Sequence, residues 1–240
     1  MTIRISEIFG PTIQGEGALI GQPTIFVRTG GCDFRCVWCD TMHAVDSQFR
    51  DQWTPMKAEE IFAKIEDLSG KKPLMISLSG GNPAIQDLKP LIDLGHKHEY
   101  KFALETQGSI AQDWFADLDV LTLSPKPPSS EMAFNQSKFD ECLSAALKNT
   151  EKNGTNPDIA IKIVIFDEDD FAFAKNVLAN YSQYKFYIQP CNHQVEGEAD
   201  TYTLAKRTRW LIERVNEEKL FNMTVLPQLH VMLWGNARGV

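Results

Sequence analysis

Cys32, Cys36 and Cys39 fall within eight positions of the stretch GGCDFRCVWCDT, and Cys142 and Cys191 complete the chain's five cysteines. Thiolates this close together hold metal, hold an iron–sulfur cluster, or exchange with disulfides. Three cysteines on one tight loop suit a 4Fe–4S cluster whose fourth iron has no protein ligand and stays open to a small molecule. An electron carrier instead fills all four corners. A closed zinc site also needs four ligands, and His43 is the candidate for the fourth. A thiol redox loop is the third alternative.

Other polar residues sit where apolar runs end: Arg28, Ser79-Gly80-Gly81, Glu105-Thr106, Ser124, Lys126, Gln189, Gln228 and His230. The runs themselves read as strands: PTIFVRT (23–29), LMISLSGG (74–81), KFALET (101–106), VLTLSPK (120–126), IAIKIVIF (159–166) and KFYIQP (185–190). They are nearly continuous in apolar character, as strands of a covered parallel sheet are. Helical periodicity falls between them, at 57–68, 84–98, 137–149, 168–181 and 201–218. In the first of these, Ile61, Ile65 and Leu68 share a face, Thr54 is the expected N-cap and Pro55 a first-turn residue. Pro90 is expected to bend or interrupt the second. Residues 223–234 supply a last strand and a tail. The expected architecture is α/β, a partial or modified (βα) barrel with a parallel sheet. In such folds ligands gather at the C-terminal ends of the strands, where the polar residues fall.

The 240 residues, 43% hydrophobic, suit one domain with a full core. A net charge of −8 argues against a nucleic-acid surface. No apolar run is long enough to span a bilayer, and the N-terminus has no signal-peptide stretch. The expectation is a cytoplasmic protein, where clustered thiols bind metal or do redox chemistry rather than form structural disulfides. Cys142, on a helix face, reads as a small buried hydrophobe. Cys191, after Gln-Pro, lies near the expected mouth. His96 and His98 read as solvated helix-end residues.

The loop C-x3-C-x2-C, with Trp38 before its last cysteine, resembles the cluster loop of the radical S-adenosylmethionine superfamily. Ser79-Gly80-Gly81-Asn82-Pro83 resembles that superfamily's GGEP-type motif, with Asn82 at the common Glu. The stretches EIFGPTIQGEG (7–17), FVRTGGC (26–32), CDT (39–41), SPK (124–126), QP (189–190) and VLPQLHVMLWGN (225–236) are together similar to the 7-carboxy-7-deazaguanine synthases.

That resemblance implies a single radical S-adenosylmethionine-type domain over residues 1–240, with an N-terminal substrate-binding extension and a C-terminal closing segment. It implies a lyase reaction that contracts the ring of 6-carboxy-5,6,7,8-tetrahydropterin to 7-carboxy-7-deazaguanine and releases ammonia. The implied cofactors are a 4Fe–4S cluster on Cys32, Cys36 and Cys39, S-adenosylmethionine, and Mg2+ at Thr41. Trp38, Cys39, Asp40 and Gly81 match positions around S-adenosylmethionine, as do Glu105, Ser124, Pro125, Lys126 and Gln189. Ile13, Gln14, Gly15 and Glu16 match substrate positions, with Arg28, Ser79, Gln228 and His230. A flavodoxin or ferredoxin electron donor and a homodimer are also implied. Two alternatives come from other classes: a glycyl-radical activase, and a non-enzymatic metal-binding module. Relatives differ at the C-terminus, where this chain continues ten residues past His230.

Overall fold

The computed structural model describes residues 1–148 and 155–240. These residues build one nine-stranded sheet from β1 (Ile3–Ile13), β2 (Pro23–Thr29), β3 (Thr54–Met56), β4 (Met75–Gly80), β5 (Lys101–Thr106), β6 (Val120–Leu123), β7 (Asp158–Ile165), β8 (Lys185–Pro190) and β9 (Met223–Val225), in the order β3-β1-β2-β4-β5-β6-β7-β8-β9. From β2 to β9 every pairing is parallel, whereas β1 runs antiparallel to both β2 and β3. The result is the expected partial barrel, left open between β3 and β9.

Helices α1 (Met42–Val45), α2 (Ala58–Ser69), α3 (Lys89–Lys97), α4 (Gln136–Ala146), α5 (Glu168–Asn180), α6 (Thr201–Glu217) and α7 (Leu229–Trp234) follow strands in alternation. The main core lies between sheet and helices. Ile25, Val27, Ile76, Leu78, Phe102 and Ile163 from the strands meet Ile61, Ile65, Leu91, Phe139, Phe171 and Leu211 from the helices. The other sheet face is different in kind. Met75, Ala103 and Val120 form a small apolar floor with Leu19, and Thr24, Ser77, Thr122 and Lys162 are buried beside it. Strands that looked uniformly apolar are therefore apolar outward and small or polar inward, which leaves room for a ligand.

Several elements depart from expectation. Residues 3–13 form the longest strand; Gly and Pro within GPTI mask its alternation. Thr54 and Pro55 belong to the edge strand β3, paired with Ile5 and Arg4, where a proline costs no ladder bond. Helix α2 begins later, with Lys57 as N-cap and the Glu60 carboxylate accepting from its backbone N–H at 2.6 Å. Leu68 is exposed, and Ala58, Ile61, Phe62 and Ile65 form the buried stripe. Pro90 does not bend a helix. It lies in the first turn of α3, where its missing N–H has no partner to lose, while Pro83–Ile85 forms a separate 3-10 turn. The last predicted segment ends in helix α7 rather than a tail. Of the helix expected over 137–149, Asn149 lies outside the described residues.

Candidate active site

Register at the strand ends creates the site. Arg28 sits opposite Ser79 and Thr29 opposite Gly80 across β2 and β4, and Glu105 sits opposite Thr122 across β5 and β6. One cavity of about 280 Å³ opens over these ends. The cysteine loop forms one wall, contributing Cys32, Cys36, Trp38, Cys39, Asp40 and Thr41. The β1 end forms another, with Ile13, Gln14, Gly15 and Glu16. Ser79, Gly81, Glu105, Ser124 and Lys126 line the floor, and His230 closes the far side. Pro125, Gln189 and Gln228 do not line the cavity. Gln228 instead stands behind Glu16, donating from Nε2 to Glu16 Oε1 at 2.8 Å. Gln189 is buried, and among the described residues neither of its amide atoms has a partner.

All five cysteines are free thiols. Burial pushes Cys32 and Cys39 up and carries Cys36 to about 11. Binding metal therefore means releasing protons that the thiols otherwise hold at neutral pH. Cys32 Sγ accepts from Phe34 N–H at 3.4 Å, and Cys39 Sγ lies 3.6 Å from Thr41 Oγ1. The indole of Trp38 donates to Ser129 Oγ at 3.0 Å. Ser129 Oγ in turn donates to Oδ2 of the fully buried Asp170 at 2.6 Å. Asp170 also accepts the backbone N–H groups of Ser129 and Phe166, so α5 anchors the cluster loop.

The glycine motif works through packing. A Cβ on Gly81 would stand 2.1 Å from Gly31 O and 2.9 Å from Ala44 O. Gly81 thus lets the turn after β4 press against the cysteine loop; its value lies in that approach as much as in reaching a ligand. Asn82 explains the departure from the acidic motif. Its Nδ2 donates to Asp33 Oδ1 at 2.8 Å, and its Oδ1 accepts from Thr106 Oγ1 at 2.7 Å. A glutamate has no N–H to offer Asp33 and would place a second negative charge against it.

Arg28 is not free. Its Nε–H donates to Glu7 Oε1 at 2.6 Å, and the two side chains are 17% and 19% exposed. The pair arises because Glu7 lies directly across the antiparallel ladder from Arg28. His43 Nε2 is 3.2 Å from the same oxygen, so His43 serves this cluster and is not turned to the cysteines as a zinc ligand. Arg238 Nη2, from the C-terminal segment, is 3.8 Å from Glu7 Oε2. Residues 235–240 line the cavity, whereas Trp234 does not. Burial would raise the Glu7 carboxyl, but the His43 hydrogen bond and the Arg28 charge outweigh it and lower it to about 2.

Glu16 forms an ion pair with Lys162, and Lys162 Nζ also lies 2.5 Å from Glu105 Oε1. Burial opposes the charge on Glu16, but Lys162, His230 and Gln228 hold its carboxyl far below the usual range. Gly15 is required here, since a Cβ would stand 2.2 Å from His230 Nδ1. Cys142 is buried on α4 as expected, and Cys191 is buried outside the cavity lining. His96 pairs with Asp119 at 3.0 Å.

Sequence reasoning missed Glu7, Lys162 and Arg238. Lys162 did leave a signal, as the one charged residue inside the run IAIKIVIF. The stretch 44–53, also unassigned, buttresses the cluster loop. Trp53 Nε1 donates to His43 O at 2.8 Å, and its ring fills the space a Cβ on Gly30 would need.

An open parallel sheet with a three-cysteine loop after its first parallel strand, and a glycine turn packed against that loop, defines the radical S-adenosylmethionine class. Residues 26–126 match the radical SAM superfamily model. The 7-carboxy-7-deazaguanine synthase of Bacillus subtilis (strain 168) is 43% identical over 243 residues, covering 99% of this chain and 98% of that one. The protein of the same description from Bacillus cereus is 37% identical, covering 99% of both. The crystal structure of QueE from Escherichia coli superposes with a TM-score of 0.69 at 25% identity, over 96% of this chain and 95% of that one. The chain belongs to the 7-carboxy-7-deazaguanine synthase family.

The donor set fits the cofactors of that family. Three free thiols line one wall, Lys126 Nζ donates to Ser124 Oγ at 3.1 Å on the floor, and among the described residues neither amide atom of the buried Gln189 has a partner.

Proposed function

We infer that this chain converts 6-carboxy-5,6,7,8-tetrahydropterin to 7-carboxy-7-deazaguanine and ammonia, using a 4Fe–4S cluster and S-adenosylmethionine. The observation that carries the reading is the single cavity with the three cysteines on one wall and Gln14, Glu16, Arg28 and His230 on the others. On this reading the radical source and the pterin seat share that cavity. When bound, the cluster and S-adenosylmethionine supply one-electron hydrogen abstraction from an unactivated C–H.

The chain's own residues bind, orient and enclose. Cys32, Cys36 and Cys39 hold the cluster as thiolates. Trp38, Asp40, Gly81, Glu105, Ser124 and Lys126 would hold S-adenosylmethionine. Pro125 shapes the turn behind them, and Gln189 is a buried amide in reserve of a partner on that side. On the substrate side, ionised Glu16 accepts N–H bonds from the aminopyrimidinone edge, and Gln14 offers an amide. Ile13, Gly15 and Ser79 shape the seat. Arg28 presents its remaining N–H groups to the pterin carboxylate while Glu7 holds its Nε. Gln228 and His230 reinforce Glu16. Thr41 offers one oxygen to Mg2+, a cation that keeps much of its water shell.

The same reading takes the chain as one domain whose residues 235–240 close the cavity against water. It takes a small reductant protein, a flavodoxin or ferredoxin, as electron donor, a homodimer as the assembly, and the cytoplasm as the location. No described helix is long and apolar enough to cross a membrane.

The test is mass spectrometry of an anaerobic reaction containing reconstituted protein, S-adenosylmethionine, reductant, Mg2+ and 6-carboxytetrahydropterin. A product lighter than the substrate by one ammonia establishes the ring contraction. Formation of 5′-deoxyadenosine over an untouched pterin rejects the substrate.

A further inference from the structure

Lys162 is a deeply buried cation beneath the cavity. Its side chain is 2% exposed, in the middle of β7, with Ile161 and Ile163 on either side facing the core. Its ammonium meets two carboxylates that reach it from distant parts of the chain: Glu16, after β1, and Glu105, near the end of β5. The 3-10 turn Gly17–Leu19 crosses the inner sheet face and brings Glu16 there. Gly17, at φ +61°, lies over the Lys162 stem, where a Cβ would be in ordinary van der Waals contact with Lys162 Cδ at 3.6 Å. Both carboxylates line the cavity, but Lys162 does not.

Stability alone does not call for this arrangement. A buried ion pair is replaced by apolar side chains at little cost, and often at a gain. Here one cation serves two anions, so the group keeps a net negative charge. Each carboxylate spends one oxygen on Lys162: Oε2 of Glu16 and Oε1 of Glu105. Glu16 Oε1 takes Gln228 as well and keeps one lone pair. Glu105 lines the cavity with its side chain 32% exposed, and its ion pair with Lys162 is made through Oε1 alone.

We propose that Lys162 is a positioning residue that holds Glu16 and Glu105 side by side as anions, Glu16 for the pterin edge and Glu105 for S-adenosylmethionine, so that one buried cation sets the spacing of the two ligands. The assignment rests on the functional reading above, and it adds a residue that touches neither ligand. Without the ammonium, two carboxylates share a buried space and repel. They separate or take up protons, and both ligands lose an acceptor.

The experiment compares the anaerobically reconstituted wild type with Lys162→Met. Affinity for 6-carboxypterin, a fluorescent and unreactive form of the substrate, is measured by titration, and S-adenosylmethionine affinity by equilibrium dialysis. Circular dichroism and iron content control for folding and cluster loading. The expected result is a loss of about tenfold or more for both ligands, the scale of a lost charge-assisted hydrogen bond, at full iron content. A merely structural role lowers the yield or the melting temperature and leaves both affinities of the folded protein unchanged; that result overturns the proposal.

Should Lys162→Met not fold, Glu16→Gln and Glu105→Gln decide the matter. Each retains the cation and one partner. Glu16→Gln should weaken 6-carboxypterin alone and Glu105→Gln S-adenosylmethionine alone, each by about tenfold. Unchanged binding in both variants leaves Lys162 nothing to position. A wild type that binds S-adenosylmethionine but no pterin rejects the proposed substrate, and Lys162 is then judged on its cofactor arm.

Discussion

Glu7→Gln keeps the shape of the side chain and removes its charge. In the structure Glu7 Oε1 takes Arg28 Nε–H at 2.6 Å and faces His43 Nε2 at 3.2 Å, with 19% of the side chain exposed. Burial works against the carboxylate, but His43 and Arg28 bring its carboxyl from 4.5 to about 2. At about 1.4 kcal/mol per pH unit, that difference is about 3 kcal/mol, and solvent screening of a partly exposed group reduces it to about 1–2 kcal/mol. The sign follows from the direction. A carboxyl lowered by folding contributes stability above its unfolded value of 4.5, and that stability is lost as the pH falls toward 2. The variant should therefore be less stable by about 1–2 kcal/mol at pH 7, with the gap closing as the medium is acidified from about 4.5 to 2. Urea unfolding of the cluster-free, thiol-reduced chain, followed by circular dichroism across that range, measures it. Equal stability at pH 7, or a gap that persists undiminished at pH 2, would refute the reasoning. The holoenzyme supplies a second reading. Arg28 loses its charged anchor, so pterin affinity should fall while S-adenosylmethionine affinity holds.

The cluster loop supplies three further tests. Gly81→Ala places a Cβ against the Gly31 carbonyl, which is backbone and cannot swing aside. It should cost about 1–3 kcal/mol and lower the iron retained per chain, by thermal melting and iron analysis. Ser129→Ala removes both the acceptor of the Trp38 indole and the hydroxyl donor to Asp170. A loss of about 2 kcal/mol is expected, with a shift in tryptophan emission; an unchanged spectrum and midpoint mean that the chain from α5 does not hold Trp38. Cys36→Ala should not assemble the cluster under anaerobic reconstitution, and a full iron and sulfide complement in that variant would remove Cys36 from the ligand set.

Much of the molecule was legible in one dimension. The cysteine spacing, the glycine turn and the six principal parallel strands are local patterns, because a thiol triplet on one loop and an apolar run of strand length each carry their meaning within a few residues. Strand order places the polar residues together once the strands are parallel, so Ser79, Glu105, Ser124 and Lys126 were found at strand ends. Proline and glycine blurred the rest. The GPTI segment hid β1, and Pro55 read as a helix start although it occupies an edge strand.

What the tertiary structure decided is which charged groups meet. A period of two says that Lys162 points away from its apolar neighbours, but not that Glu16 and Glu105 wait for it 146 and 57 positions earlier in the chain. Likewise, Arg28 reads as a free fork until the antiparallel register sets Glu7 across from it. Gln228 reads as a free amide until the fold sets its Nε2 against Glu16 Oε1. Sequence determined the kinds of group present and the strand ends that carry them. Only the packed sheet, by closing distances between residues far apart along the chain, settled their partners and hence which of their hydrogen bonds remain for a ligand.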